Sequence, residues 1–117
     1  MERVAVVGAG PGGLAAARFL KGQGFAPVLI EAHGDLGGQW NAQNPASGAW
    51  PAMRANTARM VTRFSDLDYP EEVAIFPRNG EVLDYLRAYA DRFGLREGAR
   101  FSTRLVGLAA AEGAAGA

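Results

Sequence analysis

At 117 residues, with twelve Lys and Arg matched by twelve Asp and Glu, the chain is sized for one domain and carries no formal net charge. That balance offers no basic or acidic field with which to recruit nucleic acid or an anionic membrane. Cysteine is absent and histidine occurs once, which excludes disulfides, thiolate or histidine metal clusters and cysteine nucleophiles.

Arg3–Val7 is an apolar, β-branched run that reads as a buried parallel strand. Arg3 ahead of an apolar stretch has the outline of a signal peptide, but Glu2 and the glycines that follow break it. No apolar run approaches the roughly 18–20 residues of a membrane-spanning helix, so the expected location is cytoplasmic. Pro11 to about Gln23 is predicted as a helix, with Gly13, Ala16, Ala17 and Leu20 forming a small-residue face and Gly24 as the stop. Pro27–Ile30 is a second apolar strand, closed by Glu31. Strand, turn, helix and strand fill the roughly 30 residues of a βαβ unit.

Residues 33–80 are rich in Gly, Asn, Pro and Ser, and turns are expected, with a short helix starting after Asn56 and an extended surface excursion from Ser65. Helical periodicity returns from Gly80 to about Phe93, where Val82, Leu86, Tyr89 and Phe93 line one face beside Tyr85. Asn79 is the expected N-cap and Gly94 the stop. Arg100–Leu108 is predicted as a third strand, and residues 109–117 as a low-complexity tail. The expected fold class is α/β, a Rossmann-like dinucleotide-binding fold whose parallel sheet is incomplete.

The stretch "VAVVGAGPGG" places Gly8, Gly10 and Gly13 in a G-x-G-x-x-G pattern after a strand and at a helix start. The first glycine permits the tight turn, the second lets a diphosphate approach the backbone, and the third lets the helix pack on the strand. The helix N-terminus offers N–H donors and partial positive charge to phosphates. A glycine turn serving packing alone is the competing reading. Glu31 ends the second strand where an acid takes the ribose hydroxyls and repels a 2′-phosphate, so FAD or NAD is expected rather than NADP; an exposed acid at a strand end is the alternative. In "GDLGGQW", the pair Gly37–Gly38 suits backbone passing close to a longer dinucleotide, with Trp40 walling the flavin end. A loop turn with Trp40 as core filler fits the same residues.

The run "GAGPGG…EAHGDLGGQW…ANTARMVTRFSDLDYP…FPRNGEVLDYLRAYADRFGL…FSTRLVGL" resembles the N-terminal part of flavin-containing monooxygenases from Val4 to about Leu108. The glycine motif is shared by many flavoproteins; Asn56–Thr57 followed by "FSD", "YP" and the "YL..YA..F" helix is far more specific. The resemblance implies FAD reduced by NADPH, reaction with dioxygen to a flavin hydroperoxide, and oxygenation of a soft nitrogen or sulfur atom of a small molecule; a related branch inserts oxygen beside a ketone. By position, Gly8, Ala9, Gly10, Pro11, Gly12 and Gly13 would hold the FAD diphosphate and Glu31 the adenosine ribose. Gly38, Gln39 and Trp40 would lie along the flavin side, and Ala55 and Asn56 at the flavin ring.

Asn56 is the candidate catalytic residue, since a neutral amide can donate a hydrogen bond without supplying a proton; helix N-capping is its other reading. Trp50 and Met53 fall where the family keeps apolar residues and are expected in the core. His33 is expected in a surface loop, Arg54, Arg59 and Arg63 on a solvated face, and Tyr85 and Tyr89 in helix packing.

The family's second glycine motif for NADPH and the later segment that completes the FAD sheet are not in this sequence. Residues 1–108 therefore read as a partial FAD-binding domain, one piece of something larger, with the edge of the first strand left open. A non-catalytic nucleotide-binding module or remnant, and a flavin-linked reductase without oxygenation, are the alternatives.

Overall fold

The computed structural model describes residues 1–111. β1 (Arg3–Val7) and β2 (Ala26–Ile30) pair in parallel, with Val4 opposite Pro27 and Val7 opposite Ile30. α1 (Pro11–Gly22) connects them, which completes the βαβ unit. Pro11 occupies the first helical turn, where its missing N–H costs nothing. Leu14 and Ala17 are the buried residues of α1 and Ala16 is exposed, so the packed face is turned by one residue from the predicted small-residue face.

β1 is less buried than its composition implies. Val4 and Val6 are half-buried, whereas Ala5 is exposed and Val7 is 57% exposed. α1 packs against the strand, and among the described residues β2 is its only sheet neighbour, so one edge stays open. On the far side of β2 the predicted third strand shrinks to a single parallel bridge between Ile30 and Arg100. Arg100 N–H donates to Leu29 O and its carbonyl accepts from Glu31 N–H, but Ser102 then adopts a positive φ of 49° and breaks the extended run. Beyond it, residues 104–108 are exposed. Of the predicted tail, 109–111 are exposed, and 112–117 lie outside the described residues.

A short 3-10 turn, Gly38–Trp40, follows the βαβ unit, and the next regular element is α2 (Asn79–Arg92). The predicted helix after Asn56 is replaced by turns, in which Ala58 O accepts from both Val61 and Thr62 N–H. Residues 53–55 and 77–79 run antiparallel, tied by Ala55 N–H to Pro77 O and Asn79 N–H to Met53 O. Arg78, not Asn79, is the N-cap of α2, and its N–H donates to Glu81 Oε1 at 2.9 Å. Asn79 opens the helix and its side-chain amide donates instead to Trp40 O at 3.1 Å.

α2 buries Val82, Tyr85, Leu86, Tyr89 and Ala90 against Leu14, Ala17, Leu29 and Leu36. Gly94 follows at φ 64°, the expected helix stop. The excursion from Ser65 is fastened rather than loose. Tyr85 Oη donates to Leu67 O at 2.6 Å and accepts from Phe64 N–H at 2.8 Å, and the Tyr69 and Tyr85 rings stack at 4.1 Å. Trp50, expected inside, is 58% exposed, while Met53 is half-buried. Arg59 is no solvated residue either: its guanidinium donates to the carbonyls of Pro70, Glu71 and Val73.

Candidate functional site

The glycine loop between β1 and α1 is built by close approach. A Cβ on Gly13 would sit 1.8 Å from Gly8 O, so only glycine lets the start of α1 close over the end of β1. A Cβ on Gly38 would lie 2.9 Å from the Cα of Gly10. The two glycine segments read separately from the sequence thus meet backbone to backbone.

Ala9 is the hub of this contact. Its side chain is fully buried, its carbonyl accepts from Gly37 N–H at 2.9 Å, and its own N–H donates to Glu31 Oε1 at 2.8 Å. The second Glu31 oxygen, Oε2, accepts from His33 N–H at 2.8 Å, and Glu31 is only 8% exposed. Glu31 is therefore no loose strand-end acid: it spans from the end of β2 to the glycine loop. A carboxylate accepts about four hydrogen bonds, so capacity for ribose hydroxyls remains after these two.

Two clefts flank that carboxylate. One of about 250 Å³ is lined by Val7, Gly8, Ile30, Thr103 and Leu105, and the other, of about 330 Å³, by His33, Asn44, Ala46 and Arg104. Both lie at the carboxyl end of the parallel strands, where α/β sheets bind their ligands. At the start of α1 no described protein group accepts from the N–H groups of Gly10, Gly12 and Gly13. Those donors, at the positive end of the helix, suit a diphosphate.

The residues assigned to the flavin side are more dispersed. Gln39 is exposed, and Trp40 is half-buried against the core with its carbonyl held by Asn79. Ala55 is buried in the core and bonded through its backbone to Pro77. Asn56 is exposed, and among the described residues its side chain has no hydrogen-bond partner; it caps no helix.

Sequence reasoning missed Asp35 and Asn41. Asp35 is gripped by Arg87 Nη2 at 2.8 Å, and the Asn41 amide donates to Leu36 O at 3.0 Å from a 2% exposed position. An acid beside Gly34 and two residues ahead of a glycine pair was a visible turn signal, whereas Arg87 sits among the polar positions of α2 and gave none. Among the described residues no group of three His, Asp or Glu could hold a metal ion, and no helix is long and apolar enough to cross a membrane.

The glycine cradle, the free helix N-terminus and the acid at the end of β2 define a dinucleotide-binding βαβ unit of Rossmann type. The model of the flavin-binding monooxygenase-like family matches residues 1–115, and the chain belongs to that family. It is 38% identical over 106 residues to flavin-containing monooxygenase 5 of Oryctolagus cuniculus, covering 87% of this chain and 20% of that one. Among solved structures, the S-allyl-L-cysteine S-oxygenase of Allium sativum superposes with a TM-score of 0.76 at 28% identity, over 86% of this chain and 27% of that one. Cyclohexanone monooxygenase from Rhodococcus sp. Phi1, bound to NADP+, gives 0.70 at 28% identity over 86% and 19%. The chain spans about a fifth of the length of its curated relative, and the fold it shares with these proteins is that of flavin-dependent monooxygenases.

Proposed function

We propose that this chain forms the FAD cradle of an NADPH-dependent flavin monooxygenase acting on a soft nitrogen or sulfur centre of a small molecule. The observation that carries the reading is the bridge from Glu31 to Ala9, which joins the acid at the end of β2 to the phosphate-binding loop. The site fits the cofactor on its own terms. The Gly13 and Gly38 approaches leave no room for a side chain, the start of α1 presents free N–H donors, and Glu31 retains acceptor capacity for ribose hydroxyls.

Gly10, Gly12 and Gly13 would bind the diphosphate and Glu31 the adenosine ribose. Gln39, Trp40 and Ala55 would lie along the flavin. Bound FAD supplies the redox chemistry, taking electrons from NADPH and activating dioxygen, while the chain orients it and limits water. The Asn56 amide, exposed and without a protein partner, would donate a hydrogen bond at the flavin ring without giving up a proton.

The chain should be purified with FAD present, gel-filtered, and read for flavin absorbance at one equivalent. Retained flavin supports the reading; retention of NAD in place of FAD, or of neither, sinks it in favour of another nucleotide module. For an active monooxygenase that carries this segment, NADPH-dependent formation of a sulfoxide or N-oxide is the expected product signature. A second reading, oxygen insertion beside a ketone, draws support from the likeness to cyclohexanone monooxygenase. A lactone or ester product from a cyclic or linear ketone would select it.

A further inference from the structure

The turn that carries Gly37 and Gly38 is held from outside by charge. Asp35 Oδ2 pairs with Arg87 Nη2 at 2.8 Å, and Oδ1 lies 3.6 Å from Arg96 Nη1 while accepting from Leu36 N–H at 2.8 Å. Arg87 lies on α2 and Arg96 in the turn after it, so one carboxylate ties the loop to both the helix and the turn that follows it. Arg96 is itself steadied by Asp91 at 2.7 Å. One turn before Arg87 on α2, the Leu83 side chain presses on Gly37: a Cβ there would meet Leu83 Cδ1 at 2.5 Å. The same stretch of helix therefore grips Asp35 and covers Gly37. On its inner side Gly37 donates to Ala9 O, and Gly38 abuts Gly10.

We infer that Asp35 is a positioning residue for the dinucleotide site, seating the Gly37–Gly38 turn on the Gly10 backbone and so fixing the shape of the phosphate cradle from α2. Asp35 is engaged by Arg87, Arg96 and Leu36 N–H and acts through the turn. Its two arginines stand in for covalent bracing, and the pairs are half-shielded: the Asp35 side chain is 29% exposed and each arginine 38%. Surface ion pairs contribute little singly, but a carboxylate shared between two arginines and a backbone N–H forms a network with fixed geometry. That this seating governs FAD affinity rests on the function proposed above; the seating itself is measurable without any ligand.

Amide hydrogen exchange on the ligand-free chain tests the seating directly. Asp35→Asn should speed exchange at Gly37 by about tenfold or more while leaving the α1 amides unchanged. Equal exchange at Gly37 in both proteins, or faster exchange spread evenly over the chain, overturns the inference. If Asp35→Asn does not fold, Arg87→Gln, which keeps Arg96 and Leu36 N–H on the carboxylate, carries the same comparison with a smaller change.

FAD titration then reads the consequence. Asp35→Asn should weaken binding about five- to tenfold and Arg87→Gln less, with the double variant no worse than Asp35→Asn alone. Losses that multiply would show that the two residues act separately and would overturn the coupling. If the unmodified chain takes up no FAD, the proposed function fails, and exchange at Gly37 still decides the seating.

Discussion

The Glu31 carboxylate and the Ala9 amide, 22 residues apart in sequence, are joined by a 2.8 Å hydrogen bond that runs from the end of β2 into the glycine loop. Glu31 therefore does two things: it shapes the loop through Ala9 and His33, and it faces the clefts in which a ribose would lie. Replacing it with glutamine keeps an acceptor oxygen but turns the other end into an NH2 donor, which cannot accept from a backbone N–H. Glu31→Gln should lower FAD affinity about tenfold and cost about 1–3 kcal/mol of stability. Isothermal titration together with chemical denaturation would separate the two effects; unchanged FAD affinity would show that Glu31 serves the loop alone.

Gly13→Ala tests the close approach of α1 to β1. With Gly8 O only 1.8 Å from the added Cβ, backbone must shift, because no flexible side chain is present to yield. The expected cost is about 1–3 kcal/mol, the range of overpacking, with loss of FAD retention on gel filtration. Gly12→Ala is the control, since a Cβ there meets nothing within 4 Å. It should fold with nearly unchanged stability.

How much of this was legible beforehand follows from what kind of signal each part leaves. The βαβ unit and α2 were readable because their apolar periodicity is set locally: β1 occupies the predicted residues, α1 ends within one residue of its prediction, and β2 begins one residue earlier than predicted. The third strand was not, because Arg100–Leu108 has strand-like composition but, among the described residues, only the end of β2 beside it, and Ser102 turns the backbone away. Trp50 was misplaced for a related reason: a tryptophan in a turn-rich segment is buried only if some element covers it. In the site, the glycines and Glu31 announced themselves by type and spacing. The contact between Gly10 and Gly38 and the grip of two arginines on Asp35 are long-range and leave no local pattern.

Acid should expose the ion pairs. Burial alone would raise the Asp35 carboxyl, but hydrogen bonds from Arg87 and Leu36 N–H and the charges of Arg87 and Arg96 hold it below its ordinary value of 3.8. Asp66 is likewise lowered: burial pushes it up, and hydrogen bonds from Arg18 and Tyr89 with the Arg18 charge outweigh that. A depressed carboxyl stabilises the fold fully above its unfolded value, and that contribution fades as pH falls through the lower folded value. The melting temperature of the chain minus that of Asp35→Asn should therefore be constant from neutral pH down to about 4 and shrink below it. A gap that closed between pH 7 and 5 would point to some other group.

Asn56 separates activity from stability. It is exposed and makes no side-chain hydrogen bond among the described residues, so Asn56→Ala should change stability by no more than about 0.5 kcal/mol. In an active monooxygenase that carries this segment, if the amide donates at the flavin ring, the same change should lower oxygenation about a hundredfold. NADPH consumption would then continue with reduced oxygen released as peroxide rather than appearing in product. Product and NADPH measured in parallel decide the matter, and unchanged coupling would remove Asn56 from the chemistry.

The stacked pair Tyr69 and Tyr85 offers a test in which two identical substitutions have opposite outcomes. Their rings lie 4.1 Å apart and both side chains are buried. Tyr85 Oη bridges the 64–69 segment to α2, donating to Leu67 O and accepting from Phe64 N–H. Tyr85→Phe strands a carbonyl and an amide together and should cost about 1–3 kcal/mol. Tyr69 Oη is buried without a protein partner among the described residues, and burial followed by the charge of Tyr85 pushes its phenol up to about 12. Tyr69→Phe removes a polar atom that gains nothing from its surroundings, so stability should be unchanged or rise by about 1 kcal/mol. Urea denaturation of the two variants gives the comparison directly. If Tyr69→Phe were the more damaging of the two, its hydroxyl would have to be bonded to an ordered water, and the roles assigned to the two rings would be reversed.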